Sequence, residues 1–172
     1  MQKNFSYSLA VDDISAAERT YKIKADAEQL KLIAEILKVS EVKEFASEIK
    51  TRRHSKSNLI DVWGNVEAVI TRQSVISLED FDKKYQVDFN LQFDTMLTEN
   101  QVREMEEDGI DNIPDVVMNG QIDLCHLAME QIALELEDYP RQEGEEFVFV
   151  SEFKEDDTAS ENPFKILEKL KK

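Results

Sequence analysis

The chain has one cysteine, Cys125, in 172 residues, so an internal disulfide is excluded. The two histidines, His54 and His126, are far apart in sequence and with Cys125 make no closed tetrahedral set for a metal. The four glycines, Gly64, Gly109, Gly120 and Gly144, are each isolated, which excludes a glycine-rich loop cradling phosphates. No run approaches the roughly 18 apolar residues of a spanning helix. The opening Met-Gln-Lys-Asn-Phe-Ser-Tyr-Ser has no secretory hydrophobic region. These absences lead us to expect a cytoplasmic protein with no cofactor, no metal and no membrane partner.

What is plentiful is charge. Charged residues are 34% of the chain and the net charge is −16, which opposes broad attraction to polyanions, so no DNA partner is expected and any RNA contact must be local. The charge is divided unevenly. Residues 1 to 94 carry 14 Lys and Arg against 16 Asp and Glu, residues 95 to 161 carry 3 against 20, and residues 162 to 172 carry 4 against 1. The first half can therefore present a basic patch within an acidic whole.

A hydrophobic content of 41% over this length suffices for one buried core. Residues 5 to 11 and 19 to 25 read as short strands, and Asp26 with Gln29 has the spacing of a capping box. Leu30, Ile33, Ala34 and Leu37 then form one apolar helical stripe. Val42 to Arg53 reads as a half-buried strand with Phe45, Ser47, Ile49 and Thr51 on one side; residues 54 to 57 form a hairpin loop. Ile60, Val62, Val66, Ala68 and Ile70 share a face at period two, and Gly64, which interrupts them, reads as a bulge or bend. Tyr85, Val87, Phe89, Leu91 and Phe93 alternate with polar residues without exception, which predicts an antiparallel strand with one wet face.

Beyond this the chain turns acidic, with weak support for a helix between Glu99 and Asp111. Asp123 can cap a mostly buried helix in which Leu124, Leu127, Ala128, Gln131 and Leu134 line one face, widened by Cys125, Met129, Ile132 and Leu136 and ended by Pro140. Phe147 to Val150 reads as a brief strand or docking segment. The expected organisation is an α+β domain over residues 1–150, an acidic linker over 151–161, and a short amphipathic helix over 162–172. In that helix Asn162 caps, Pro163 takes the first helical position, and Phe164, Leu167 and Leu170 share a stripe beside a basic end. About ten residues are marginal as an isolated helix, so this segment needs a surface, the protein's own or a partner's.

Catalytic groups are hard to assemble. Cys125 and His126 are adjacent, and neighbours on a helix point about 100° apart. They make no dyad, and Cys125 among apolar positions reads as a buried, inert thiol. The acidic residues from Asp108 to Asn119 do not follow the calcium-loop pattern and read as solvated surface. A hydrolase built on surface carboxylates is the enzymatic rival, and a deep pocket lined by inward carboxylates would be its sign. Arg52, Arg53, Lys56 and Arg72, with His54, are candidates for RNA phosphate contact; a solvated hairpin tip is the equal alternative. Tyr85, Phe89 and Phe93 share a face with Val87 and Leu91 and read as core rather than as a stacking platform.

One pattern is longer range: Pro114-Asp115, Gly120, Ile122-Asp123-Leu124, Glu130 and Leu134-x-Leu136, closing on Asn162-Pro163-Phe164-x-x-Leu167-x-x-Leu170. This order resembles the bacterial YceD family, the large ribosomal RNA subunit accumulation proteins. Many members carry a Cys-x-x-Cys pair where this chain has Ser74 and Ser77, and residues 73 to 79 resemble the alphaproteobacterial form with the remaining cysteine lost. A hydroxyl is neither anionic at neutral pH nor soft, so it cannot replace a thiolate on structural zinc. The resemblance implies an α+β fold, an antiparallel sheet that could close like a barrel, with flanking helices and an acidic C-terminal region. It also implies a role without catalysis in large-subunit rRNA accumulation or assembly, through precursor rRNA, a basic ribosomal protein, or both. Asp115, Gly120, Asp123, Glu130, Asn162, Pro163 and Phe164 are its candidate interaction residues. An acidic interaction module unrelated to ribosomes is the other non-enzymatic alternative.

Overall fold

The structure is a computed structural model that describes residues 5–146. The expected segment 147–150, the linker 151–161 and the helix 162–172, with Asn162, Pro163 and Phe164, lie outside the described residues. In chain order the elements are β1 (Ser8–Ala10), β2 (Arg19–Lys24), α1 (Ala27–Leu37), β3 (Glu41–Arg53), β4 (Leu59–Gln73), β5 (Asp80–Asp94), α2 (Glu99–Glu107), β6 (Asp115–Val116), β7 (Gln121–Asp123) and α3 (Leu124–Glu135).

The main sheet has the order β2-β3-β4-β5-β6, antiparallel throughout except for the parallel β5–β6 pair; β1 and β7 form a separate antiparallel pair. Its strands follow the period-two pattern. Phe45, Ile49, Ile60, Val62, Val66, Ala68, Ile70, Tyr85, Phe89 and Phe93 all point to one buried face, while their neighbours meet water. Two helices cover that face. α1 packs on β3 through fully buried Ile33, and α3 packs on β4 and β5 through Leu124, Ala128 and Ile132. The sheet is therefore sealed by helices rather than by joining its edges, and it does not close into a barrel: β2 and the two-residue β6 remain as separate edges.

Local chemistry explains the element starts. Asp26 Oδ1 accepts from the N–H groups of Glu28 and Gln29, while Gln29 accepts from the Asp26 N–H, completing the capping box at 2.8 to 3.0 Å. Such a cap is worth about 1 kcal/mol. Asp123 caps α3 by accepting from Cys125 N–H at 2.9 Å and His126 N–H at 3.1 Å.

Three expectations need correction. Gly64 makes no bulge: the β3–β4 and β4–β5 registers run through it unbroken, and the irregularity falls at Val42/Glu44 instead. The glycine serves a close approach, because a Cβ there would lie 2.1 Å from the Glu48 carbonyl oxygen. Leu134 does not join the buried face of α3; it is 74% exposed, in a last turn, Ala133 to Glu135, whose side chains all meet solvent. Pro140 does not end α3 either. The helix stops at Glu135, where Leu136 turns extended and packs against the core.

Candidate interaction surface

The hairpin joining β3 and β4 carries three of the four candidate cations, and most are already paired. Arg52 Nη2 lies 3.1 Å from Asp61 Oδ2, with its guanidinium carbon 5.7 Å from the centre of the Trp63 ring. His54 Nε2 is 2.8 Å from the same Asp61 oxygen, and Gln92 Nε2 donates to Asp61 Oδ1 at 3.0 Å. Burial pushes the Asp61 carboxyl up, but the bonds from Gln92, Arg52 and His54 outweigh it and hold the group below the ordinary carboxylate range. Arg53 donates to the Val11 carbonyl at 3.1 Å and lies 3.6 Å from Asp12. Lys56 is exposed in the loop.

Arg72 is not part of this group. It stands at the far end of β4, eleven residues beyond Asp61, a path of roughly 35 Å along a strand. There its Nη2 donates to the Glu137 carbonyl at 2.6 Å, beside a Lys83–Glu137 ion pair and a Tyr85 hydroxyl donating to Glu137 at 2.9 Å. Burial and that bond push the Tyr85 hydroxyl up to about 12. Sequence proximity to a hairpin says nothing about the opposite end of a fifteen-residue strand.

A groove of about 650 Å³ opens on the wet face beside the hairpin, lined by Arg52, Asp61, Trp63, Asn90, Gln92 and the Pro114-Asp115 turn. It joins two features that are distant in the sequence, the basic hairpin and the Pro-Asp motif. Asp115 reaches it because β6 pairs with Phe93 and Asp94 at the end of β5. Burial and repulsion from Glu130 push the Asp115 carboxyl above the ordinary range. Trp63 was missing from the sequence-based candidates. Its signal was available, since it is out of phase with Ile60, Val62 and Val66 and so belongs to the wet face.

The other signature residues divide into scaffold and surface. Asn119 and Gly120 have φ of 52° and 69°, the positive pair that a tight turn between Met118 and Gln121 requires. Asp123 also receives the Ser6 hydroxyl and the Tyr7 N–H, tying the N-terminal segment to α3. Burial raises this carboxyl, and these bonds with those of the cap outweigh it, holding it below the ordinary range. Glu130 is exposed on α3.

Ser74 and Ser77 retain a task. Their hydroxyls each donate to the Glu145 carboxylate at 2.5 Å, and the Val75 N–H donates to the Pro140 carbonyl at 2.9 Å, so the β4–β5 turn grips the chain after α3. Those two bonds pull the Glu145 carboxyl below its ordinary range. Two neutral hydroxyls spent on one carboxylate are not a zinc ligand set. Among the described residues no group of three or more His, Cys, Asp or Glu is placed to hold a metal ion. Cys125 is buried, and burial with the nearby Asp123 charge pushes its thiol up to about 12, while His126 faces outward.

The acidic stretch forms α2, begun by Gln101 accepting from the Thr98 N–H at 3.0 Å. α2 packs lightly on the rest of the molecule, and Glu99, Glu104, Glu106, Glu107, Asp108 and Asp111 are all exposed. No helix among the described residues is long and apolar enough to cross a membrane.

Comparison with curated proteins and with solved structures finds no match. The family profile of the large ribosomal RNA subunit accumulation protein YceD matches residues 62–171. That span holds Trp63, the Ser74–Ser77 turn, α2, Asp115, Gly120, Asp123 and Glu130; Arg52, Arg53 and Lys56 precede it. With well over half its length matched, the chain belongs to the YceD family of large ribosomal RNA subunit accumulation proteins.

Proposed function

We propose that this protein supports large-subunit rRNA accumulation as a holding factor rather than a catalyst, keeping a basic ribosomal protein on its acidic second half until RNA takes its place. The supporting observation is the contrast in charge pairing. Seven Lys or Arg side chains of the sheet and its flanks already have a carboxylate within 4 Å, whereas the acids of residues 99 to 111 are exposed, with Arg103 the single cation among them. Unpaired charge of one sign steers an opposite partner; paired charge does so far less.

Loss of the gene is expected to lower mature large-subunit rRNA relative to small-subunit rRNA, and an unchanged ratio contradicts the role. Purified protein is expected to retain basic ribosomal proteins at low salt and release them as salt rises, without retaining naked precursor rRNA.

A second reading has its own observation. The Arg52 guanidinium over Trp63, beside exposed Lys56, offers a cation and a ring face to an unpaired RNA base. Direct retention of naked precursor rRNA, lost in Trp63→Ala, would favour it.

A further inference from the structure

We propose that the groove between α1 and α3 is the docking site of the chain's own C-terminal segment, residues 162–172. The groove has a volume of about 560 Å³ and is lined by Ile36, Arg72, Met129, Glu130, Ala133 and Leu136, among others. Ile36 lines it, and Leu134 stands one helical turn beyond the lining residue Glu130. Ile36 is 51% exposed, and Leu134, at 74%, follows Glu130 by four residues and so shares its side of α3.

Three observations select this occupant. The first is charge: the lining carries Glu130, Glu137 and Asp138 against Lys38 and Arg72, an excess of one acid, and the segment brings four lysines against the single acid Glu168. A second copy of a chain with net charge −16 would bring the wrong sign. The second is an unanswered donor. Arg72 Nη1 is buried with no hydrogen-bond partner among the described residues, and a buried donor left unmade is costly. Glu168 follows Phe164 by four residues, so on a helix the two share a side, and a carboxylate beside the inserted ring can meet that guanidinium.

The third is reach. Ser74 and Ser77 hold Glu145 at the end of β4, and Arg72 is two residues before Ser74, about 7 Å along a strand. The 15 residues from 147 to 161 span about 20 Å as a coil. The segment is therefore present near the groove at millimolar effective concentration. Phe164, Leu167 and Leu170 supply the apolar stripe that the groove lacks a cover for, and docking relieves the marginal stability of so short a helix.

The test uses the full-length chain carrying Ala133→Cys with Leu167→Cys, compared with Asp88→Cys with Leu167→Cys. Asp88 is exposed on the opposite face of the sheet, and native Cys125 is buried and does not interfere. Oxidation is expected to close an intramolecular disulfide about tenfold faster in the groove pair than in the control. Phe164→Asp or Glu168→Ala is expected to remove most of that advantage, and thermal unfolding of each variant is measured beside the parent to show that the domain is still folded. Equal rates in the two pairs overturn the proposal. So does a disulfide that forms between two chains, which assigns the groove to a second copy.

Discussion

The sheet built from β2 to β5 and the stretch from α2 to β6 treat charge in opposite ways. On the sheet, Lys22 pairs with Glu48, Arg52 with Asp61 and Lys84 with Glu67 across adjacent strands, directly or one step along, and Lys43 on β3 reaches over β4 to Asp82 on β5. Around α2 the carboxylates have no such partners among the described residues, and Asp115 sits where burial and Glu130 both oppose its charge. Residues 1 to 94, with 14 basic against 16 acidic side chains, use their charge up as local pairing, whereas residues 95 to 161, with 3 against 20, leave theirs as field. The difference teaches that a sheet buries its apolar face and neutralises its wet one, while the segment that does neither leaves its charge open to solvent.

The sharpest way to break the ordered half is at Gly64. Gly64→Ala forces a Cβ against the Glu48 backbone, which cannot rotate aside, and is expected to cost about 3 kcal/mol in a denaturant titration. A variant as stable as the parent would show that β3 and β4 do not approach so closely.

Next comes the Asp123 cap. Asp123→Ala removes an acceptor for two helix N–H groups, the Tyr7 N–H and the Ser6 hydroxyl, with an expected loss of about 2 kcal/mol at pH 7. The folded protein holds this carboxyl below its unfolded value, so its contribution is present above about pH 4 and fades as the pH falls through the folded value. The stability difference between parent and variant should therefore narrow in acid. A difference that is constant with pH would contradict the role assigned to the ionised carboxylate.

A third test touches the core of β3. The Thr51 hydroxyl is buried without a partner among the described residues, so Thr51→Val is expected to raise stability by about 1 kcal/mol in the same titration. The smallest effect is expected at Asp115. Its folded value lies above its unfolded one, so the charge opposes folding at neutral pH and Asp115→Asn should add a few tenths of a kcal/mol, a gain that vanishes below about pH 4. Together, Asp123 and Asp115 are two acids eight residues apart with opposite pH behaviour, which separates the anchored carboxylate from the unanswered one.

Patterns confined to a few residues were legible in the sequence. The alternation from Tyr85 to Phe93, the Asp26–Gln29 box and the Asp123 cap each depend on neighbours within four positions. Gly64 was misread because a missing side chain marks a special place without saying which backbone comes near it. Arg72 does not join Arg52, since the apolar face from Ile60 to Ile70 already carries it to the far end of β4, away from the hairpin. The Ser74 and Ser77 contact with Glu145 spans about seventy residues and has no local trace. Leu134 fits the helical period, but it falls in the exposed last turn of α3.

The account depends most on the claim that the open acids of α2 do the holding. Glu104, Glu106 and Glu107 are exposed, and lysine suits a helix as well as glutamate does, more so near its C-terminal end. The decisive measurement is the ratio of mature large-subunit to small-subunit rRNA in cells whose single copy carries Glu104→Lys, Glu106→Lys and Glu107→Lys, with the variant's abundance and melting temperature matched to the parent. We expect that ratio to fall toward the value seen when the gene is removed. A ratio equal to that of the parent would contradict the account.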